Sequence, residues 1–502
     1  MSKASSFMQD GKFTPEFNTL VTETIERWNV PGFSIAVIDG DITCAGGYGL
    51  ASLSEEKVKP ETLFHCASMT KAFTAASVSF LVDDNEKYSD IQWTTPVSKI
   101  IRDDFVLSDS MYTEHVTVED ILSHRTGFPD HDDACFGIFG ENPDTPKSVT
   151  RKLRHLPLNK PLRTTYQYSN MMYVAASHAV ETVTGRSLGS FLREKLWEPL
   201  GMSNTYFGMS DLEHHLKISD LAHGYHWVEN EDKYIEVPWL EQPEGSGAGE
   251  MISNVHDFAK FLRAMIFKAG PISEEGHNEL VKPRTIIHED TKPFSCPPLY
   301  ALGWEINTFH GELVIGHDGS IQGFGSKMLY IPRLEWGVVA FGNTETAYTA
   351  HKKICGELID DLLNIPAENR FDWNEHLAKE MDEPECKTVE EIYPDLPEKK
   401  LPLTLSLDAY TGTYEHEGYG RFVVELKDDK LVIDAMDRTW RSILTFVHVS
   451  GEFFVVEMLD WATKEIDRFK AEFQIGADGQ AAKMGIALID DIDDELIWFQ
   501  KG

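Results

Sequence analysis

The chain has 502 residues, 42% of them hydrophobic and 25% charged, with a formal net charge of −36. This is the composition of a soluble globular protein, and its length exceeds what one core usually supports, so two domains are expected. The acidity excludes nucleic acid and anionic membrane surfaces as partners, because both are held by basic patches, and no run of about eighteen apolar residues offers a membrane span.

The first ten residues carry neither an apolar core nor a cleavage pattern, so no secretory leader is expected and the chain reads as cytoplasmic. Cys44, Cys66, Cys135, Cys296, Cys355 and Cys386 are scattered without a CxxC pair, which predicts free thiols. In chain order, Thr14-Pro15 predicts a helix start, and Phe17, Leu20, Val21, Ile25 and Trp28 form one apolar face before Pro31-Gly32 ends the helix. Residues 33–38 and 42–51 read as strands joined at Asp39-Gly40-Asp41. A helix after this hairpin implies an antiparallel sheet with helices on its faces.

Residues 64–81 read as that buried helix, rich in small residues, with Phe73, Ser77, Phe80 and Leu81 at helical spacing. Ser68 and Lys71 sit one turn apart on it. A serine hydroxyl is inert near neutral pH until a base takes its proton, and a desolvated lysine is such a base. The helix N-terminus adds a backbone N–H for the oxyanion. A second Ser-x-x-Lys, at Ser54-Glu55-Glu56-Lys57, is hydrophilic on all sides and reads as an exposed turn that leaves its lysine solvated.

Further on, residues 116–127 predict a short helix stopped by glycine, with His124 a structural hydrogen-bonding residue. Asp130-His131-Asp132-Asp133, His214-His215 and His223/His226 lack ligand spacing on a scaffold, so no metal and no cofactor is assigned. Gly245–Gly249 lacks a following Gly-Lys-Ser/Thr and reads as a bend before a helix over 254–265. Strands are expected at 299–306, 313–315, 325–331 and 336–341, and a helix over about 346–363. Residues 366–403, proline-rich and acidic, read as a linker or wrapping segment. From 404 to 502, short alternating strands, including 420–426, 431–434, 453–458 and 469–475, predict a small antiparallel barrel or sandwich.

Two more patterns join Ser68 and Lys71. Tyr168-Ser169-Asn170 supplies a phenol, expected to be acidified by a lysine and to relay the serine proton, and an amide that can bind a substrate carbonyl. His317-Asp318-Gly319-Ser320 places a glycine where a substrate can lie against a strand, with the Ser320 N–H as a second oxyanion donor. A competing His416-Glu417-Gly418 reads as a turn.

In this order, Ser-x-x-Lys, Tyr-x-Asn and His-x-Gly resemble the serine β-lactamase-like superfamily, which spans class C β-lactamases, D-alanyl-D-alanine carboxypeptidases, D-aminopeptidases and esterases. Residues 122–127, 191–202, 247–262 and Leu302-Gly303-Trp304 are similar too, and the likeness covers about residues 15–365. The C-terminal part is similar to the lipocalin-like barrel appended to some members. The resemblance implies an α+β fold, with a β-lactamase/transpeptidase-like domain over 1–365, a linker over 366–403 and a lipocalin-like barrel over 404–502.

It also implies a two-step acyl transfer on a small-molecule or peptide substrate. Ser68 is the nucleophile, Lys71 and Tyr168 are the coupled base and acid, and His317 stands in the third motif. Asn170 and Gly319 contact substrate, and the N–H groups of Ser68 and Ser320 bind the oxyanion. His317 departs from the lysine of many β-lactamases. A neutral imidazole favours esters, neutral amides or peptides over substrates with a carboxylate at that position. Glu250 also departs from the small or apolar residue that is commoner there. Three readings follow: a serine hydrolase, an acyltransferase or peptide cyclase with the same acyl-enzyme, and a binding module on the same fold.

Overall fold

The computed structural model describes residues 6–54, 56–132, 136–213, 220–287, 292–381, 386–489 and 495–502. Glu55 of the second Ser-x-x-Lys, Asp133, Cys135, His214, His215 and Pro384 lie outside the described residues.

A nine-stranded sheet organises the first two thirds of the chain. Across it run residues 285–286, 299–300, 305–309, 312–321, 324–331, 336–342, 32–39, 42–52 and 56–57 in that order, every neighbour antiparallel. The N-terminal hairpin therefore joins strands made some 300 residues later, with Val37 opposite Val338 and Ala36 opposite Val339. Because strand side chains alternate, the sheet separates two cores. On one face Phe33, Ile35, Val37, Val338 and Ala340 meet Phe17, Val21 and Ile25 of helix Pro15–Arg27 and Ile354 and Leu358 of helix Ala347–Leu362. On the other, Ala36, Ile38, Ile315, Met328, Val339 and Phe341 meet the helices around Ser68.

The helix Pro15–Arg27 begins as its sequence predicts, with Thr14 Oγ1 accepting the Phe17 N–H. Residues 64–81 are not one helix. Phe64–His65 is a strand paired with Met251–Ser253, Ala67–Met69 is a 3-10 turn, and the α-helix proper is Thr70–Asp83. Twelve of the fourteen residues of that helix are buried. Its small side chains let the helix Asn170–Thr184 and the turn Ser246–Gly249 approach from two sides. The expected strand 299–306 is broken into Leu299–Tyr300 and Glu305–Phe309 at Gly303, whose φ of +74° ends the ladder. In the second Ser-x-x-Lys, Glu56–Lys57 forms a short edge strand with Lys57 exposed, a pairing its polar sequence gives no sign of.

Residues 412–501 close an eight-stranded antiparallel barrel, the last strand Ile497–Lys501 pairing with the first, Gly412–His416. Aromatic rings fill it: Phe473 meets Tyr410, Phe446 and Phe454, and Phe499 meets Phe422 and Tyr419. Between sheet and barrel, helix Trp373–Met381 buries Trp373 and Leu377 on the sheet side, and Val389–Ile392 buries Ile392 against Val449 and Val455 of the barrel. No helix of the described residues is long and apolar enough to cross a membrane.

Candidate active site

Ser68 is the one partly exposed residue between Thr62 and Ser79. It is presented by a tight turn: Cys66 donates its N–H to Met251 O at 2.8 Å, Ala67 adopts φ +47°, and the Ala67 N–H goes to His65 Nδ1 at 3.0 Å. A left-handed alanine costs about 1–2 kcal/mol, held here by the strand pairing before it and the helix after it.

Lys71 is fully buried, with Nζ 3.0 Å from Ser68 Oγ and donating to Ala248 O at 3.0 Å. It lies 4.7 Å from the ring centre of Tyr168 and 5.5 Å from that of Tyr173. Burial draws the amine down from 10.5 to about 7, although Asp132 and Asp130 favour its charged form. Near neutral pH a large share of Lys71 is thus uncharged and carries a lone pair.

Tyr168 donates its hydroxyl to Ser68 Oγ at 2.8 Å. Burial pushes this phenol well above its ordinary value, against the expectation that a lysine would acidify it. Desolvation is the leading cause, so Tyr168 remains a neutral donor. His124 fixes the segment: its Nδ1 accepts the Ser169 N–H at 3.0 Å, its carbonyl accepts the Gln167 N–H at 2.8 Å, and its ring lies 4.3 Å from that of Tyr168. His124 is itself buried and held well below its ordinary value, chiefly by desolvation, and is therefore neutral.

Gly319 brings strand Glu312–Ile321 against Ser68. A Cβ there would stand 2.5 Å from Cys66 O and 3.0 Å from Ser68 N, so only glycine admits this approach. Ser326 Oγ, on the next strand, donates to Cys66 O at 2.8 Å and ties the same turn to the sheet. Ser320 follows at the exposed rim, opposite Gly325. Asn170 opens helix Asn170–Thr184 and donates its amide to the Asp132 carboxylate.

Ser68, Lys71, Tyr168 and Gly319 thus converge, with Asn170 beside them through Asp132. His317 lies two residues before Gly319 and therefore on the same face of the strand, bonded to Tyr300 and to its own strand. Its Nε2 is 2.8 Å from Tyr300 OH and its Nδ1 2.6 Å from Asp318 O, and burial, then Lys71, lowers it to about 4. Glu250 is buried against Gln242 and Gly208. Its Oε2 accepts the Gln242 N–H at 3.2 Å, and its carbonyl accepts from Gly208. Ala248, Asp132 and Tyr300 complete the surroundings without being singled out for this role from the sequence. Ala248 contributes only a carbonyl, which carries no side-chain signal. Asp132 lay within a cluster that resembled a metal site. Among the described residues no three His, Cys, Asp or Glu side chains are grouped to hold a metal, and five cysteines are free.

A nine-stranded antiparallel sheet flanked by helices, with a Ser-x-x-Lys turn on its inner face and a tyrosine on the same oxygen, defines a β-lactamase-type fold. Residues 17–354 match the Beta-lactamase family, and the chain belongs to it. Residues 396–501 match a domain of unknown function, DUF3471. The chain is 40% identical to the unguisins hydrolase ungD' of Aspergillus campestris, over 97% of this chain and 91% of that protein. It shares its fold with the octameric penicillin-binding protein homologue of Pyrococcus abyssi, at TM-score 0.62 and 23% identity over 97% of this chain and 99% of that one. The D-amino acid amidase of Ochrobactrum anthropi matches at TM-score 0.57 and 22% identity, over 70% of this chain and 98% of the amidase.

Proposed function

We propose that the chain is a serine hydrolase that forms an acyl-enzyme on Ser68 and cleaves an ester, amide or peptide bond of a small to medium substrate. The observation that carries this is the single oxygen, Ser68 Oγ, with Lys71 Nζ at 3.0 Å and Tyr168 OH at 2.8 Å. Neutral Lys71 accepts the Ser68 proton as Oγ attacks the carbonyl carbon. The oxyanion is held by the Ser68 N–H and, one residue beyond Gly319, by the Ser320 N–H. The C–O or C–N bond then breaks, and the proton passes by way of Lys71 and Tyr168 to the leaving group. Water, deprotonated by the same lysine, attacks the ester on Ser68 and releases the acid and the free serine.

Neutral, buried His317 supports uncharged groups over a carboxylate beside the strand, and the name of the 40%-identical relative makes unguisins the first substrates to test. Exposure to a fluorophosphonate followed by intact mass measurement tests the assignment. One adduct is expected in the wild type and none in Ser68→Ala. An adduct that persists in Ser68→Ala rejects it.

A further inference from the structure

The barrel reaches the segments that flank Lys71 through two buried side-chain contacts. In the first, Tyr419, fully buried just ahead of the barrel strand Gly420–Lys427, has its hydroxyl 2.7 Å from Nδ1 of His131. The other ring nitrogen of His131 faces Pro157 O at 3.4 Å, so Nε2–H donates there and Nδ1 accepts from Tyr419. His131 is 1% exposed, and desolvation holds it neutral, at about 3. The next residue, Asp132, binds the Asn170 amide and favours the ammonium form of Lys71.

In the second, Thr439, 1% exposed in the bend between two barrel strands, donates its hydroxyl to the carboxyl group of Glu244 and its N–H to Phe136 O at 3.1 Å. Glu244 is fully buried in the 3-10 turn Pro243–Gly245, which runs directly into Ser246–Gly249. That turn gives the Ala248 carbonyl to Lys71 and the Gly247 carbonyl to Thr74 Oγ1, at 3.0 and 2.7 Å. A carboxyl group sealed in this way costs stability unless bonded, and Thr439 supplies a side-chain donor to it.

We infer that Tyr419 and Thr439 are positioning residues of the acylation centre: the barrel sets where Asp132 and the Ala248 carbonyl stand, and thereby the reactivity of Lys71. The inference rests on the serine-hydrolase reading and adds to it a part played by the C-terminal region. Neither residue touches the reacting atoms. Lys71 is faced by Ser68, Tyr168, Tyr173, Asp130, Asp132, His124 and His317. Of the carboxylates Asp130 and Asp132, Asp132 directly follows His131, which is bonded to the barrel. Asp132 and the Ala248 carbonyl both favour the charged amine. Loosening either contact therefore lets Lys71 lose its proton at lower pH while spoiling its aim at Ser68.

The test is the rate of fluorophosphonate labelling of Ser68 against pH, in the full-length chain, for wild type, Tyr419→Phe, Thr439→Val and Thr439→Ser. Tyr419→Phe and Thr439→Val should slow labelling at the pH optimum about 10-fold and move the acid midpoint to lower pH. Thr439→Ser, which keeps the hydroxyl, should restore both. Tyr419→Phe removes one oxygen atom and decides the matter should Thr439→Val fail to fold. Labelling rates and midpoints equal to wild type in the folded variants, even with lowered melting temperatures, overturn the inference and leave the hydrolase assignment standing. No labelling of Ser68 in the wild type overturns both.

Discussion

Lys71 should make the protein less stable than it would be without it. In the unfolded chain its amine titrates near 10.5; in the fold, buried beneath Ser68, it titrates near 7. Folding therefore releases a proton from Lys71 across that interval. At pH 7 this costs roughly 4 kcal/mol. Replacing Lys71 by Met keeps the length of the side chain and removes the cost, but leaves the Ala248 carbonyl without its donor, a loss of about 1–3 kcal/mol. The net expectation for Lys71→Met is an inactive protein about 1–3 kcal/mol more stable than wild type at pH 7. The sign follows from proton counts. Between 7 and 10.5 the unfolded state binds more protons at this site, so wild-type stability rises with pH and the advantage of the variant shrinks. Urea unfolding of both proteins at half-unit steps from pH 7 to 10 measures the difference, and other titrating groups cancel between them. A difference that stays flat across that range would show that Lys71 keeps its ordinary proton in the fold, and the base assignment would fall.

Three more outcomes follow from the same geometry. The acylation rate should climb through about pH 7 as Lys71 loses its proton, and a rate constant from pH 5.5 to 8.5 contradicts this. In Gly319→Ala the new methyl must back away from Cys66 O and Ser68 N by about 1 Å, and kcat should fall about 100-fold with the circular dichroism unchanged; wild-type turnover would deny the close approach. Asp120, fully buried, caps its helix through Thr117 and pairs with Arg125 at 2.6 Å and Arg163 at 2.7 Å. Burial alone would raise its carboxyl, yet Arg163, Thr117 and Arg125 together hold it below 3.8. Its contribution is therefore complete above that value and lost as pH falls below it. Asp120→Asn should cost about 3 kcal/mol near neutral pH and narrow the gap to wild type in strong acid, both read by chemical unfolding; an equal midpoint at pH 7 is the contrary result.

What the sequence made legible was whatever has a local signal. Thr14-Pro15 and Asn254 mark helix starts because their side chains cap the next turn. Ser68, Lys71, Tyr168 and Gly319 stand in short ordered motifs, and the fold brings them together. Contributions made by backbone alone were not legible: the Ala248 carbonyl on Lys71, or the left-handed Ala67 that turns a strand into the Ser68 helix. Nor was the direction of the Tyr168 shift, since the degree of burial is decided by Tyr173, Tyr300 and His124 arriving from distant segments. The partner of His317 was hidden for a related reason. Strand alternation fixes its face, but only the position of Tyr300 determines what it touches.

The sheet order has a consequence for synthesis. The strand Gly32–Asp39, seven of its eight residues buried, finds one neighbour at once in Ile42–Ser52, but its other side is Trp336–Gly342. At about 5–20 residues per second, translation of the intervening chain takes roughly 15–60 s. During that interval an apolar ribbon stands with one open edge, the form most prone to pair with a stranger. Yield in a cell should therefore depend on how well that early hairpin is shielded while the rest of the polypeptide is still being made.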